Sequence, residues 1–381
     1  MAATKEAFME YISWAKEVSE KIKKKMAVVA DRNRHKLPYT TENGVFNDCS
    51  KDCVCWWTNG FYGGMMWQLY HATKEKMYQE IALEIEEKLD ENLMTHWGMD
   101  HDSGFRWLTT AVADYRETGS EKGYNRGRLA ADNLAGRFNP AGRFIRAWND
   151  GNDGSRAGWA IIDCMMNLPL LYWAYEESKD PRYLQIALAH ADTAEQYFIR
   201  PDGSANHIVE FDPYTGEFVK YHGGQGYGEG SSWTRGQAWA IYGFVLSYIH
   251  TKEERYLGCA KRVANYFIAN IPESCLIPVD FRQPLDCTLE DSAAAVIAAC
   301  GMLEIAGQTG PVEAELYRNA ALKMLRKLER ERCNWSEDCD NIVEKCTAAF
   351  HDKDHEFSII YGDYYFIEAI FKLTGEELFI W

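Results

Sequence analysis

The sequence opens without an uninterrupted apolar run. Its first segment, MAATKEAFMEYISWAKEVSEKIKKKM, carries charges every few residues, which argues against a signal peptide or a membrane span and leaves an amphipathic helix. Paired C-x-x-C spacing is also missing. The eleven cysteines are an odd number in a chain with no export signal, so disulfides are not expected and the cytoplasm is the expected compartment. Cys49, Cys53 and Cys55 have no second Cys/His half at ligand spacing, so they read as buried or bystander thiols and no metal is expected. Basic tracks are lacking too. A net charge of −16 argues against DNA, RNA or a long sulfated polymer as partner, because such ligands need cations to displace their counterions. A small ligand served by one or two local cations remains. Finally, no long stretch alternates with period two, which removes the main signal for extended strands.

The chain is rich in aromatic residues: 13 Trp, 22 Tyr and 17 Phe make 14% of it. Such a surplus suits an aromatic-lined carbohydrate site, or a large helical core. Apolar residues recur with helical spacing over about 5–26, 60–73, 75–93, 105–118, 124–138, 161–178, 181–199, 234–251, 254–271, 290–309, 312–333 and 361–377. Short connectors such as SKDPR (178–182) and TKEER (251–255) join these helices into antiparallel hairpins. A weak internal repeat marks the second helix of each pair: Tyr78/Ala82, Tyr183/Ala187, Tyr256/Ala260 and Tyr317/Ala321. The repeat is too irregular for an open solenoid. Six helical hairpins in one chain predict a closed all-α ring, an (α/α)6 barrel over residues 1–381 as one domain, with first helices inside. The longer connectors, 38–59, 94–104, 139–160, 200–233, 272–289 and 334–360, all precede inner helices and gather at one mouth.

Three stretches in or beside those connectors carry chemistry. WGMDHDSGFRWL (97–108) places Asp100 and Asp102 beside His101 just ahead of a helix, where an aspartate serves equally as a cap or as a catalytic carboxylate. In WAIIDCMMNLPLLYW (159–173), Asp163 interrupts an apolar run. Burial there would raise its pKa and suit a general acid, the alternative being a hydrogen-bonded cap. QGYGEGSSWTRGQAWAIYGF (225–244) brings Arg235 and Trp233 together, as the carboxylate and the apolar face of an acidic sugar would need; structurally, Trp233 could plug the barrel mouth while Arg235 pairs with Glu229. His207, Trp148, Trp56 and Trp57 are further candidates from the connectors.

WTNGF (57–61), HDSGF (101–105), IIDCMMNLPLLYWA (161–174), QGYGEGSSWTRGQAW (225–239), EDSAAAVIAACGMLE (290–304) and YGDYYFIEA (361–369) together resemble glycoside hydrolase family 88, the unsaturated glucuronyl hydrolases, in order and spacing. The resemblance implies that Asp163 is the general acid/base and Asp102 the second essential carboxylate. His207, Gln225, Trp233 and Arg235 fall on its substrate-binding positions, Trp148 on a stacking position, and Trp57, with Trp56 beside it, on the first motif. It further implies hydration of a C4=C5 double bond in a terminal unsaturated uronate, with no metal or organic cofactor. The partner would be a small anionic oligosaccharide, and the protein a monomer or small homo-oligomer. A Ser-x-x-Lys pattern found in members that act on sulfated fragments is absent from AAFHDKDHEFSIIYGDYYF (348–366), where Lys353 lies between His351 and His355; unsulfated or lightly sulfated substrates are therefore expected. The alternatives are an unsaturated rhamnogalacturonyl hydrolase, a sugar epimerase on the same barrel and a non-catalytic carbohydrate-binding protein.

Overall fold

A computed structural model describes residues 2–149 and 155–381, so part of the 139–160 connector lies outside the described residues. The helices are α1 (Ala2–Arg32), α2 (Phe61–Thr73), α3 (Lys76–Thr95), α4 (Ser103–Trp107), α5 (Ala113–Thr118), α6 (Glu121–Ala135), α7 (Leu168–Ser178), α8 (Pro181–Tyr197), α9 (Thr234–Thr251), α10 (Glu254–Ala269), α11 (Ser292–Gln308), α12 (Pro311–Arg332) and α13 (Ile360–Thr374). A π-helical turn, Leu108–Val112, joins α4 to α5, and the two act as one rod. The inner ring is α2, α4–α5, α7, α9, α11 and α13, each packing on the next, with α13 closing on α2. Around it stand α3, α6, α8, α10, α12 and α1. The fold is an (α/α)6 barrel in which the first and last helices make the sixth hairpin.

The division follows from composition. In α9 and α11 apolar residues run all round the helix and are buried, whereas α10 has one apolar stripe, Tyr256, Leu257, Ala260, Val263, Ala264 and Phe267. The Tyr/Ala repeat is the inward stripe of four outer helices, and all eight of its residues are buried. It also ties outer helices together. Tyr183 donates its hydroxyl to Asp132 Oδ1 on the preceding outer helix at 2.6 Å, Tyr256 to Asp192 Oδ1 at 2.7 Å, and Tyr317 to Asn265 Oδ1 at 3.3 Å. Removing one such hydroxyl leaves its acceptor short of a partner, so Tyr183→Phe should lower unfolding stability by about 1 kcal/mol, read by urea denaturation with unchanged activity per folded molecule.

Strands, not anticipated from the sequence, occur in the connectors. β1 (Thr41–Glu42) pairs with β2 (Val45–Phe46), β3 (Phe138–Asn139) with β4 (Phe144–Ile145), and β5 (Trp159–Ile161), β6 (Ile208–Phe211) and β7 (Phe218–His222) form an antiparallel sheet in that order. In that sheet Ile161 faces Ile208. One step further, Ile162 N–H donates to His207 C=O at 3.0 Å, which sets Asp163 beside His207. The helix expected over 161–178 is therefore shorter: β5 takes its start, a 3₁₀ turn spans Ile162–Met166, and α7 begins at Leu168. Pro169 accounts for this. It has no N–H to continue a helix from upstream and is suited to the first turn of a new one.

At the far end of the barrel Lys372, buried, meets Glu304 at 2.5 Å and lies close to Glu377 and Glu368. Glu368 in turn accepts from Tyr242 at 2.5 Å and from Trp381 Nε1 at 2.7 Å. Among the described residues no helix is long and apolar enough to cross a membrane.

Candidate active site

Asp163 stands on the 3₁₀ turn between β5 and α7, and Asp102 in the N-cap position of α4, both buried. Asp102 makes no capping bond. That task falls to Asn167, whose Oδ1 accepts Phe105 N–H at 2.9 Å. Asn167 Nδ2 lies 3.4 Å from Asp102 Oδ1 and 3.4 Å from the Asp163 carbonyl oxygen, so one amide touches both segments. The close approach needs Gly104, where a Cβ would stand 2.6 Å from Asn167 Cα.

His207 Nδ1 accepts the Gln225 N–H at 3.0 Å, so the proton of the neutral ring sits on Nε2, which lies 3.5 Å from Asp163 Oδ1. Gly224, at φ +57°, lets the backbone turn over the ring; a Cβ there would collide with His207 Nδ1. The Gln225 side chain donates to Ala348 C=O at 2.8 Å and the Gln225 backbone carbonyl accepts Phe350 N–H at 2.9 Å, tying the glycine-rich segment to the 334–360 connector.

Contacts run on around the mouth. The His207 ring lies 4.3 Å from that of Trp233, Trp233 is 4.6 Å from the Arg235 guanidinium carbon, Arg235 is 5.5 Å from the Tyr361 ring, and Tyr361 is 5.1 Å from Trp57. Trp57 then meets Phe105 at 5.4 Å. Trp148 packs on Ala147, Ile161 and Ile208, beside the segments that carry Asp163 and His207. Trp56 instead meets Tyr39 edge-on and is 38% exposed. The eight candidate residues thus come to one mouth from four connectors, the 3₁₀ turn after β5 and the first turn of α9, while a surface cleft of about 640 Å³ lined by Tyr197, Arg200, Asn206 and Arg262 holds none of them.

Two expectations need correction. Arg235 pairs with Asp291 Oδ2 at 2.5 Å, both fully buried, and not with Glu229. It also donates to Thr347 C=O at 2.6 Å and to Ala348 C=O, so most of its donors are already engaged. The raised acid is Asp102, not Asp163. Burial, the charge of Asp100 and that of Asp163 hold the Asp102 carboxyl well above the carboxylate range. Burial alone would push Asp163 up as well, but His207 Nε2, facing Oδ1 at 3.5 Å, and the charge of Arg235 bring it below its ordinary value. The two carboxyls are thus shifted in opposite directions, Asp102 toward keeping a proton and Asp163 toward giving one up. His101, buried beside them, is pushed down to about 4 by burial and stays neutral.

Sequence reasoning passed over Asn167 and Asp291. Both lie inside quoted motifs; for Asn167 the available signal was an amide among apolar residues, and for Asp291 an aspartate just ahead of the apolar run SAAAVIAAC. Lys353, in the connector that lacks the Ser-x-x-Lys pattern, is exposed, while His351 Nε2 donates to Tyr227 C=O at 2.8 Å.

A six-hairpin barrel with two buried carboxyls at one mouth is an arrangement suited to cleaving glycosides. The profile of Glycosyl Hydrolase Family 88 matches residues 18–373, and the chain belongs to that family. It is 36% identical over 326 residues to an unsaturated glucuronyl hydrolase of Bacillus sp. (strain GL1), covering 83% of this chain and 86% of that one. An unsaturated chondroitin disaccharide hydrolase of Streptococcus pneumoniae is 32% identical over 338 residues, covering 85% and 83%. The unsaturated glucuronyl hydrolase of Streptococcus agalactiae, solved as an aspartate-to-asparagine variant complexed with dGlcA-GalNAc6S, superposes with a TM-score of 0.82 at 29% identity, over 96% and 93% of the two chains. The same enzyme has been solved with a second aspartate replaced, sixty positions earlier in its chain.

Proposed function

We propose that this chain is an unsaturated glucuronyl hydrolase that removes a 4,5-unsaturated uronic acid from the non-reducing end of small glycosaminoglycan-type oligosaccharides. The observation that carries the reading is the buried Asp102–Asp163 pair with opposite shifts. Asparagine substitutions at two aspartates of a relative, spaced much as these two are, support it.

Asp163 acts as general acid/base and Asp102 as the second essential carboxylate. In the free protein the opposite shifts favour a proton on Asp102 over one on Asp163. An anionic sugar entering the mouth offsets the cationic field of Arg235 and favours the protonated form of Asp163. Asp163 then delivers its proton to C4 while water adds to C5, and the water's proton returns to the carboxylate, so the enzyme ends as it began. The product is a C5 hemiketal, which opens to a ketone and frees C1 to expel the remaining sugar. The reaction balances without a metal or organic cofactor. His207, Gln225, Trp233 and Arg235 bind the uronate, Arg235 chiefly through its field, and Trp148 and Trp57 flank the ring. Residues 1–381 work as one catalytic domain, in the cytoplasm, as a monomer or small homo-oligomer, with no nucleic-acid or membrane partner.

The test follows the ultraviolet absorbance of the conjugated double bond in unsaturated chondroitin, hyaluronan, heparin and rhamnogalacturonan disaccharides. Loss is expected on uronyl-hexosamine substrates, fastest on unsulfated or lightly sulfated ones. Loss on the pectin fragment alone would assign the chain to rhamnogalacturonyl substrates, and binding without loss would make it a carbohydrate-binding protein.

A further inference from the structure

Two side chains converge on one oxygen of Asp102. Asn167, fully buried, approaches Oδ1 with Nδ2 at 3.4 Å, and His101, also fully buried, approaches the same oxygen with Nε2 at 3.4 Å. His101 is otherwise without side-chain partners: among the described residues neither ring nitrogen makes a well-aligned hydrogen bond, although its backbone N–H is held by Ala147 C=O at 3.1 Å. A buried imidazole left in that state is costly unless it has a partner in the working enzyme. Long, poorly aligned contacts in a ligand-free site commonly tighten when substrate enters. Asn167 is fixed from its other side by Phe105 N–H, and Gly104, lacking a Cβ, lets the two segments pack closely enough for that bond.

We propose that Asn167 and His101 are positioning residues that hold Oδ1 of Asp102 from two sides, fix the plane of its carboxyl and leave Oδ2 for the substrate side. The inference rests on the reading of Asp102 as an essential carboxylate. Asn167 comes from the start of α7 and His101 from the loop before α4, so they define the carboxyl plane from two elements. The other groups facing Asp102 are Asp100 from its own loop, Arg106 from α4, Asp163 and Cys164 from the 3₁₀ turn, and Arg137 beyond α6.

The experiment measures kcat, KM and the pH profile of kcat/KM on an unsaturated disaccharide for Asn167→Ser, His101→Leu and His101→Gln, with Asp102→Asn as reference. Misplacement of a reacting group by about an ångström can cost up to ~100-fold in rate, so Asn167→Ser and His101→Leu should lose ten- to a hundredfold in kcat with KM within twofold. Loss of the Asn167 donor also removes a bond that favours ionised Asp102, so the alkaline limb moves to higher pH in Asn167→Ser. His101→Gln, which keeps an N–H donor, should recover most of the activity lost in His101→Leu. Unchanged kcat and limbs per folded molecule in Asn167→Ser and His101→Leu would overturn the inference, as would equal loss in His101→Gln and His101→Leu. If Asp102→Asn itself keeps wild-type activity, the reading of Asp102 fails and this inference with it. If Asp102→Asn is inactive while the positioning variants are normal, this inference alone fails.

Discussion

Asp163→Asn should lower kcat on an unsaturated uronyl disaccharide by 10²- to 10⁴-fold or about that, with a much smaller change in KM, because the amide keeps the shape of the carboxyl but cannot pass a proton to C4 or take one from water. The fold should be unaffected. Because the surroundings hold Asp163 below its ordinary value, its ionised form contributes to stability near neutral pH, so the neutral amide should leave thermal stability unchanged or slightly lower, and thermal unfolding followed by circular dichroism will show which. The pH profile follows from the same pair. In wild type kcat/KM reports the free enzyme, in which Asp163 must be ionised and Asp102 protonated. Asp163 lies below its ordinary value, so activity falls only when pH drops into the acid range; Asp102 lies well above its ordinary value, so the alkaline limb comes far above the carboxylate range. In any residual Asp163→Asn activity the acid limb should be lost and the alkaline limb should move down, since the neighbouring negative charge that helps raise Asp102 has gone. A variant within threefold of wild type would remove Asp163 from the chemistry.

The second large effect is on stability. Arg235 and Asp291 are fully buried at 2.5 Å, and Asp291 also accepts Ala293 N–H at 3.2 Å and Thr347 N–H at 3.3 Å. Truncating one partner of such a pair strands the other charge, which typically costs 3–5 kcal/mol. Arg235→Ala should therefore lower unfolding stability by about that much and weaken activity as well, because the 347–348 carbonyls lose their donor and the connector that carries them loosens. The double variant Arg235→Met/Asp291→Asn removes the stranded charge and should regain part of the stability without regaining activity. Denaturant unfolding distinguishes the two. A loss below 1 kcal/mol in Arg235→Ala would mean that the pair is replaceable by water, and the buried-pair account would be wrong.

Those two residues also show where the sequence could be read and where it could not. The twelve helices and their order were legible because a helix that buries a face repeats its apolar residues every three to four positions over fifteen or more residues, which short-range noise does not imitate. The connectors' convergence followed from the hairpin topology. The β5–β6–β7 sheet was illegible because strands of three to five residues carry too few alternations to register, yet that sheet brings His207 to Asp163. Asp163 was singled out for the right reason, an acid among apolar residues, but the sign of its shift depends on His207, forty-four positions away and placed only by strand register. Burial can be guessed from neighbours in sequence; electrostatic partners cannot. The same holds for Arg235, whose nearest acid in sequence is Glu229 and whose partner in space is Asp291, more than fifty residues on. Asn167 hid in plain view, since an amide four residues after an aspartate looks like part of the same turn until Phe105 and Asp102 arrive from another connector.

The central claim is that cleavage proceeds through hydration of the C4=C5 bond and not through ordinary displacement at C1. It is tested most directly by offering wild-type protein two disaccharides identical except for that double bond, and following release of the hexosamine by chromatography. The account predicts that the unsaturated disaccharide is cleaved and the saturated one is untouched over the same hours. Cleavage of the saturated disaccharide at a comparable rate would contradict it and return Asp102 and Asp163 to the roles of an ordinary glycosidase pair.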